Sequence, residues 1–129
     1  RGLAAAGESD REAHILRGGE WIRSIQNADG GWGESFASFD HRAFTAAPSV
    51  PSQTAWAMLG LIAGGDPDSL SVRHGVDHLI RTQLPDGSWA EEQPTGVALP
   101  GMLCVRRELD KDIFPLMALA AFAKARPNV

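Results

Sequence analysis

The fold is decided by two stretches that repeat one pattern, RGGEWIRSIQNADGGW at residues 17–32 and RHGVDHLIRTQLPDGSW at residues 73–89. In both, a basic residue opens an amphipathic run, a Gln closes it, a turn containing Asp-Gly follows, and a Trp stands six residues after the Gln. A Gln at a helix end can hydrogen-bond to the backbone of a neighbouring element while the Trp packs over the turn. We therefore predict two structural brackets, Gln26 with Trp32 and Gln83 with Trp89, each tying one helical hairpin to the next.

The apolar residues around these repeats have helical spacing. They predict four main helices, over residues 12–26, 52–63, 69–82 and 111–124. The first and third are polar on one face, whereas the second and fourth are apolar nearly all round, as expected for alternating outer and inner helices. Residues 34–50 have no sustained period and are expected to form a long connection.

Alternating outer and inner helices are typical of a concentric α/α barrel. We predict an all-α chain that forms a single domain over residues 1–129 and supplies about a third of such a barrel. Its inner helices are expected to expose apolar faces unless the rest of a barrel, a partner or a second copy covers them.

The composition restricts the class of protein. A hydrophobic content of 43% with 22% charged residues is typical of a globular chain. A net charge of −4 without a Lys/Arg cluster gives no electrostatic reason to expect a nucleic-acid partner. The single cysteine, Cys104, fits a reducing cytoplasmic compartment. Because the chain starts without Met and partway into a helical repeat, we expect a segment of something longer.

The polar residues offer few candidates for chemistry. His74 and His78 are one helical turn apart, but without a third ligand nearby we expect both on a solvated face, and we predict no metal site and no cofactor. Three acidic pairs are expected to be helix caps or solvated surface rather than catalytic acids. They are Asp66 with Asp68, Glu91 with Glu92, and Asp110 with Asp112.

Further segments resemble one family in the same order along the chain. Together with the two repeats, residues 51–57, 95–96, 99–101 and 114–115 are similar to the C-terminal part of squalene–hopene cyclases, the QW-repeat family of triterpene cyclases. The resemblance covers nearly the whole chain. It implies the closing hairpins of a cyclase barrel, with the two repeats as its QW repeats.

The resemblance also indicates which chemistry this segment lacks. Such cyclases are isomerases that start a polyene cyclisation by protonating an isolated double bond with an Asp-x-Asp-Asp motif, and the printed sequence contains no such motif. We therefore predict no catalytic residue here and no activity for the segment alone. The implied substrate of the intact enzyme is a polyprenyl chain such as squalene, and the implied pathway is hopanoid biosynthesis.

Cavity-lining residues follow from the resemblance as well. The family's aromatic residues that face the late carbocations align with Leu99, Leu103, Arg107 and Asp110, and the chain has no Tyr. These four and Trp56 are expected at the cavity wall. Since a cationic Arg would repel a carbocation at low dielectric, Arg107 is expected to pair with Asp110 or a neighbour, to point elsewhere, or to mark a changed function.

Three functions stay open from the sequence. The first is a barrel segment of a squalene–hopene-cyclase-like enzyme, and the second is a related cyclase with another polyprenyl substrate. The third is a non-catalytic domain that stands alone and binds a lipid or a protein through its apolar inner face. The resemblance implies a cytoplasmic protein with peripheral docking at the inner membrane face, although the sequence has no basic amphipathic helix for docking.

Overall fold

The computed structural model describes residues 2–7, 12–94, 96–99 and 103–126. Helices dominate, which confirms the all-α prediction. They are α1 (Gly2–Ala5), α2 (Ala13–Ser24), α3 (Ala37–His41), α4 (Pro51–Ala63), α5 (Leu70–Thr82) and α6 (Asp110–Lys124). The four long helices coincide with the four predicted ones apart from a residue or two at their ends.

Local sequence explains where the central helices begin and end. Helix α4 starts at Pro51, whose fixed φ suits the first helical position, and it stops at Gly64. Helix α5 is capped by the Ser69 hydroxyl, which accepts a hydrogen bond from the Val72 N–H at 3.4 Å. Helix α6 contains the buried Pro115, which removes one hydrogen bond from its ladder.

Two short features were not predicted. In the 34–50 connection, α3 forms one helical turn, and an isolated antiparallel bridge joins Glu34 to Ala46. Strands β1 (Gly96–Leu99) and β2 (Leu103–Val105) form an antiparallel hairpin between α5 and α6. Both features close loops locally and leave the helical plan unchanged.

The core lies around α4, which packs mainly against α6 and then against α5. At the α4–α5 contact, a Cβ on Gly75 would lie 2.9 Å from the Met58 sulfur and 3.1 Å from the Trp32 ring, so the glycine permits the close approach. The remaining buried core side chains come from α4, α5, α6 and the turn that follows α5: Ala55, Leu59, Leu61, Val72, Leu79, Trp89 and Ala118.

Helix α6 leaves an apolar face exposed. It buries only Pro115 and Ala118 fully, whereas Ile113, Leu116 and Met117 are 46%, 56% and 39% exposed. Residues 113, 116 and 117 share one helix face by their spacing. We call these three residues the α6 face. An exposed face of this kind is what the sequence predicts for an inner helix.

Candidate functional site: the inner helices and their brackets

The first bracket joins three parts of the chain. The Gln26 amide donates to the carbonyl oxygen of Gly30 at 2.8 Å and to that of Ser71, in α5, at 2.9 Å. The indole N–H of the buried Trp32 donates to the carbonyl oxygen of Ile22 at 2.8 Å. The turn is thus closed on α2 and attached to α5.

The second bracket repeats this geometry. The Gln83 amide donates to the carbonyl oxygen of Gly87 at 2.9 Å, and the Trp89 indole donates to that of Leu79 at 2.9 Å. Gly30 and Gly87 share a φ of +87°, which a glycine adopts without strain. The difference is that Gln26 also reaches α5, whereas the Gln83 contact stays within its own turn.

The first turn is also held by charge. The Asp29 carboxylate accepts hydrogen bonds from the Ser49 hydroxyl at 2.6 Å and from the Gly31 N–H at 3.0 Å. Partial burial alone would raise the pKa of Asp29, but these two bonds, with the nearby His78 and Arg81, lower it below its ordinary value. This turn therefore favours an ionised Asp29.

His78 differs from its expectation. It is only 5% exposed, and its Nδ1 lies 3.3 Å from the Asp29 carbonyl oxygen, so the prediction of a solvated face is wrong for this residue. The physical reason is that α5 turns His78 toward the first bracket, while His74 stays exposed. Among the described residues, no three His, Cys, Asp or Glu side chains are grouped as metal ligands.

An aromatic pair joins α4 and α6, the two helices that the sequence predicts as inner helices. The rings of Trp56 in α4 and Phe114 in α6 meet edge to face, with centroids 5.3 Å apart and an interplanar angle of 79°. Trp56 lies two residues before Met58, about 200° around the helix from the side that packs on α5. The pair therefore lies on the side of α4 that faces away from α5. The predicted wall residues did not include Phe114, although an aromatic residue on a mostly apolar helix was a signal for it.

The other four predicted wall residues form two pairs, Leu99 with Leu103 and Arg107 with Asp110. The backbones of Leu99 and Leu103 pair in the hairpin, and their side chains lie outside what the structure describes. Arg107 Nε donates to Asp110 Oδ2 at 2.8 Å, with the Arg107 side chain 61% exposed and Asp110 14% exposed. The structure thus pairs Arg107 with Asp110, one of the arrangements expected for it, and places Trp56 against Phe114.

Residues of the acidic pairs form ion pairs and hydrogen bonds with other parts of the protein. Asp66 forms an ion pair with Arg23 at 2.7 Å, and Asp68 lies 2.8 Å from Arg126. Glu91 is 8% exposed, and its two carboxylate oxygens accept hydrogen bonds from Ser52. A long-range role for Glu91 at the start of α4 was not predicted, because its partner lies far away in the sequence.

A pocket of about 240 Å³ lies between α2 and α4. Four aromatic rings line it, and two of them, Trp21 and Phe44, meet edge to face at 5.7 Å. The other two are Trp32 and Trp56, and Glu34 and Gln53 supply polar groups. The walls suit an apolar ligand segment, since a pocket of this kind combines apolar surface with few polar groups. None of the helices in the part of the chain that the structure describes has the length and hydrophobicity of a membrane span.

Comparison with known proteins gives a consistent result. The squalene–hopene cyclase C-terminal domain family matches residues 1–124. The squalene–hopene cyclase of Bradyrhizobium diazoefficiens is 41% identical over 126 residues, which is 96% of this chain and 19% of that protein. The enzyme of Alicyclobacillus acidocaldarius is 41% identical over 94 residues, covering 72% of this chain and 15% of its own length.

The similarity extends to eukaryotic cyclases. Lanosterol synthase of Homo sapiens is 36% identical over 131 residues, covering 98% of this chain and 18% of the synthase. The chain spans about a fifth of the length of these curated relatives. By its family match and by these identities, the chain is a C-terminal segment that belongs to the squalene–hopene cyclase family.

Proposed function

We propose that this chain supplies closing hairpins and part of the cavity wall in a proton-initiated polyene cyclase of the squalene–hopene type. The observation that carries the proposal is the Trp56–Phe114 pair on the two inner helices, in a chain that matches the cyclase family along its length. In this proposal residues 17–32 and 73–89 are QW repeats, and residues 1–129 form one domain of a partial α/α barrel.

In this proposal the cavity wall stabilises the positive charge that develops on the substrate, and it does not supply the proton that starts the reaction. Aromatic faces stabilise a carbocation through their quadrupole and offer no nucleophile to quench it. The printed sequence has no Asp-x-Asp-Asp acid, so the initiating proton comes from elsewhere in the complete enzyme. The contact of Arg107 with Asp110 offsets a positive charge that would otherwise oppose a cation in a dry cavity.

The partners of this segment follow from its exposed surfaces. The rest of the barrel would cover the α6 face, and a polyprenyl chain such as squalene would fill the cavity. A cytoplasmic enzyme that docks peripherally on the inner membrane face would take such a substrate from the bilayer. A related cyclase with another polyprenyl substrate is the second candidate, because the sequence places Leu99 and Leu103 where the family has aromatic residues.

The first experiment measures the intact mass of the polypeptide made from the native gene. A mass several-fold above the 13.8 kDa of this chain supports the proposal. Incubation of that protein with squalene, followed by mass spectrometry of the extracted lipids, then identifies the product. A mass near 13.8 kDa leaves no chain for the acid motif and overturns the proposal in favour of a binding domain.

A second experiment tests the wall. In the complete enzyme, Leu99→Phe with Leu103→Phe should shift the products toward the fully cyclised skeleton, because each Phe adds an aromatic face beside the late cations. Leu70→Phe, a substitution of a residue that is 71% exposed, serves as the matched control. An unchanged product profile in the double variant would show that neither position faces those cations.

A further inference from the structure

We propose that Glu91 is a positioning residue for the Trp56–Phe114 pair. It fixes the start of α4 to the segment that also holds the start of α6, and in this way it sets how the two rings meet. The effect on ring geometry follows from the hydrogen bonds that Glu91 and Trp89 make. Only the placing of the pair in a cyclase cavity wall rests on the proposed function.

Glu91 caps α4 from a distant part of the chain. Its Oε2 accepts the Ser52 N–H at 3.0 Å and its Oε1 accepts the Ser52 hydroxyl at 2.8 Å, across 39 residues of sequence. Ser52 is fully buried and is the second residue of α4, where an N–H has no partner within the helix. A carboxylate at this point also interacts favourably with the positive, N-terminal end of the helix dipole.

The segment Trp89–Glu91 is bound to α6 as well. The Trp89 N–H donates to Asp112 Oδ1 at 3.0 Å, and the Lys111 ammonium donates to the Trp89 carbonyl oxygen at 3.0 Å. The charged groups near Glu91 are Lys111 and Asp110, both in the first turn of α6. One short segment therefore holds the beginnings of both inner helices.

The aromatic pair lies close to these anchors. Trp56 is four residues, about one turn, after Ser52, and Phe114 is two residues after Asp112. A rotation or shift of α4 at Ser52 is thus carried directly to the Trp56 ring. Since edge-to-face pairs depend on ring distance and tilt, loss of the Glu91 contacts should change the geometry of the pair.

The test uses the complete protein labelled with 5-fluorotryptophan, with Trp56→Phe to assign the Trp56 fluorine signal. Glu91→Gln keeps the side-chain size but replaces one carboxylate oxygen by the amide NH2, a donor, so the arrangement in which each oxygen accepts one Ser52 bond is lost. We expect the Trp56 signal to shift while the Trp32 signal stays in place. Glu92→Gln, at the exposed neighbouring position, should leave both signals unchanged.

A Trp56 signal that stays at its wild-type position in Glu91→Gln overturns the proposal, whatever happens to the melting temperature. If that variant fails to fold, Ser52→Ala removes only the hydroxyl bond and should give a smaller shift of the same signal. An unmoved signal there is equally contrary. Failure of the enzyme to convert a polyprenyl substrate counts against the proposed function alone, because the fluorine measurement needs no turnover.

Discussion

At the scale of single residues, the side-chain hydrogen bonds of Gln and Trp are alike in the two brackets, with one exception. Gln26 donates to Gly30 and to Ser71, whereas Gln83 donates to Gly87 within its own turn. Gln26 is partly buried and Gln83 is exposed. The same residue type at the same place in the repeat therefore has a different structural role, because of the two Gln side chains only Gln26 connects its turn to another helix.

This difference predicts unequal costs of truncation. Gln26→Ala should lower the free energy of unfolding of the 129-residue chain by about 1 kcal/mol more than Gln83→Ala does, because it leaves the Ser71 carbonyl oxygen without its bond from Gln26. Urea unfolding of the two variants side by side measures the difference. Equal losses would mean that the bond to Ser71 contributes nothing to stability.

Glu91 predicts a pH dependence of stability. Burial raises its pKa above the ordinary 4.5, and the Ser52 bonds only partly oppose this. Between the ordinary and the raised pKa, Glu91 binds more protons in the folded state than in the unfolded state. Protonation of Glu91 therefore increases the free energy of unfolding as the pH falls from neutral, and this increase is lost as the pH rises. Melting temperatures from about pH 7 to about pH 5 should therefore rise less in Glu91→Gln than in the wild type.

The control for this prediction is Glu92→Gln, which removes an exposed carboxylate one residue away. It should keep the wild-type slope over the same pH window. Asp29, whose pKa is lowered, acts in the opposite sense and only below its ordinary value of 3.8, outside the window. A slope in Glu91→Gln that equals the wild-type slope would contradict the assignment to Glu91.

At the scale of elements, the close contact between α4 and α5 affects stability more than the helix propensity of a single residue does. Gly75→Ala would gain about 1 kcal/mol of propensity in α5, but its Cβ would lie 2.9 Å from the Met58 sulfur, and overpacking costs about 1–3 kcal/mol. We expect a net loss in melting temperature. At Gly18 in α2, no other atom lies within 4 Å of an added Cβ, so Gly18→Ala should raise the melting temperature. The result that would contradict this is an equal gain in both variants, measured by thermal unfolding.

Particular elements explain how far the sequence could predict the structure. The four long helices and both Gln–Trp turns were predictable, since periodicity and turn chemistry are local. The burial of His78 and the Ser52–Glu91 contact were not, because each depends on which distant segments meet. The hairpin is local, but its strands are short apolar runs without the alternation that predicts a strand. Of the predicted wall residues, the structure pairs Arg107 with Asp110 and gives Trp56 the partner Phe114. The wall itself stays a prediction.

At the scale of the whole molecule, we expect the exposed α6 face to cause self-association of the isolated chain. Ile113→Glu with Leu116→Glu should reduce self-association of the 129-residue chain without loss of stability, because both side chains are about half exposed. Sedimentation at tens of micromolar measures the association. Leu70→Glu, on another exposed position, should leave it unchanged. A wild-type chain that is monomeric at that concentration would contradict the prediction.

The short reach of the brackets has a consequence for how such a chain is made. Each Gln bond to its own turn spans four residues and each indole bond spans ten, so neither needs a distant part of the chain. Contacts this local form early in folding, and domains generally begin to fold during synthesis. We expect each turn to close while the ribosome is still extending the chain, so that the two turns form in the order in which they are translated.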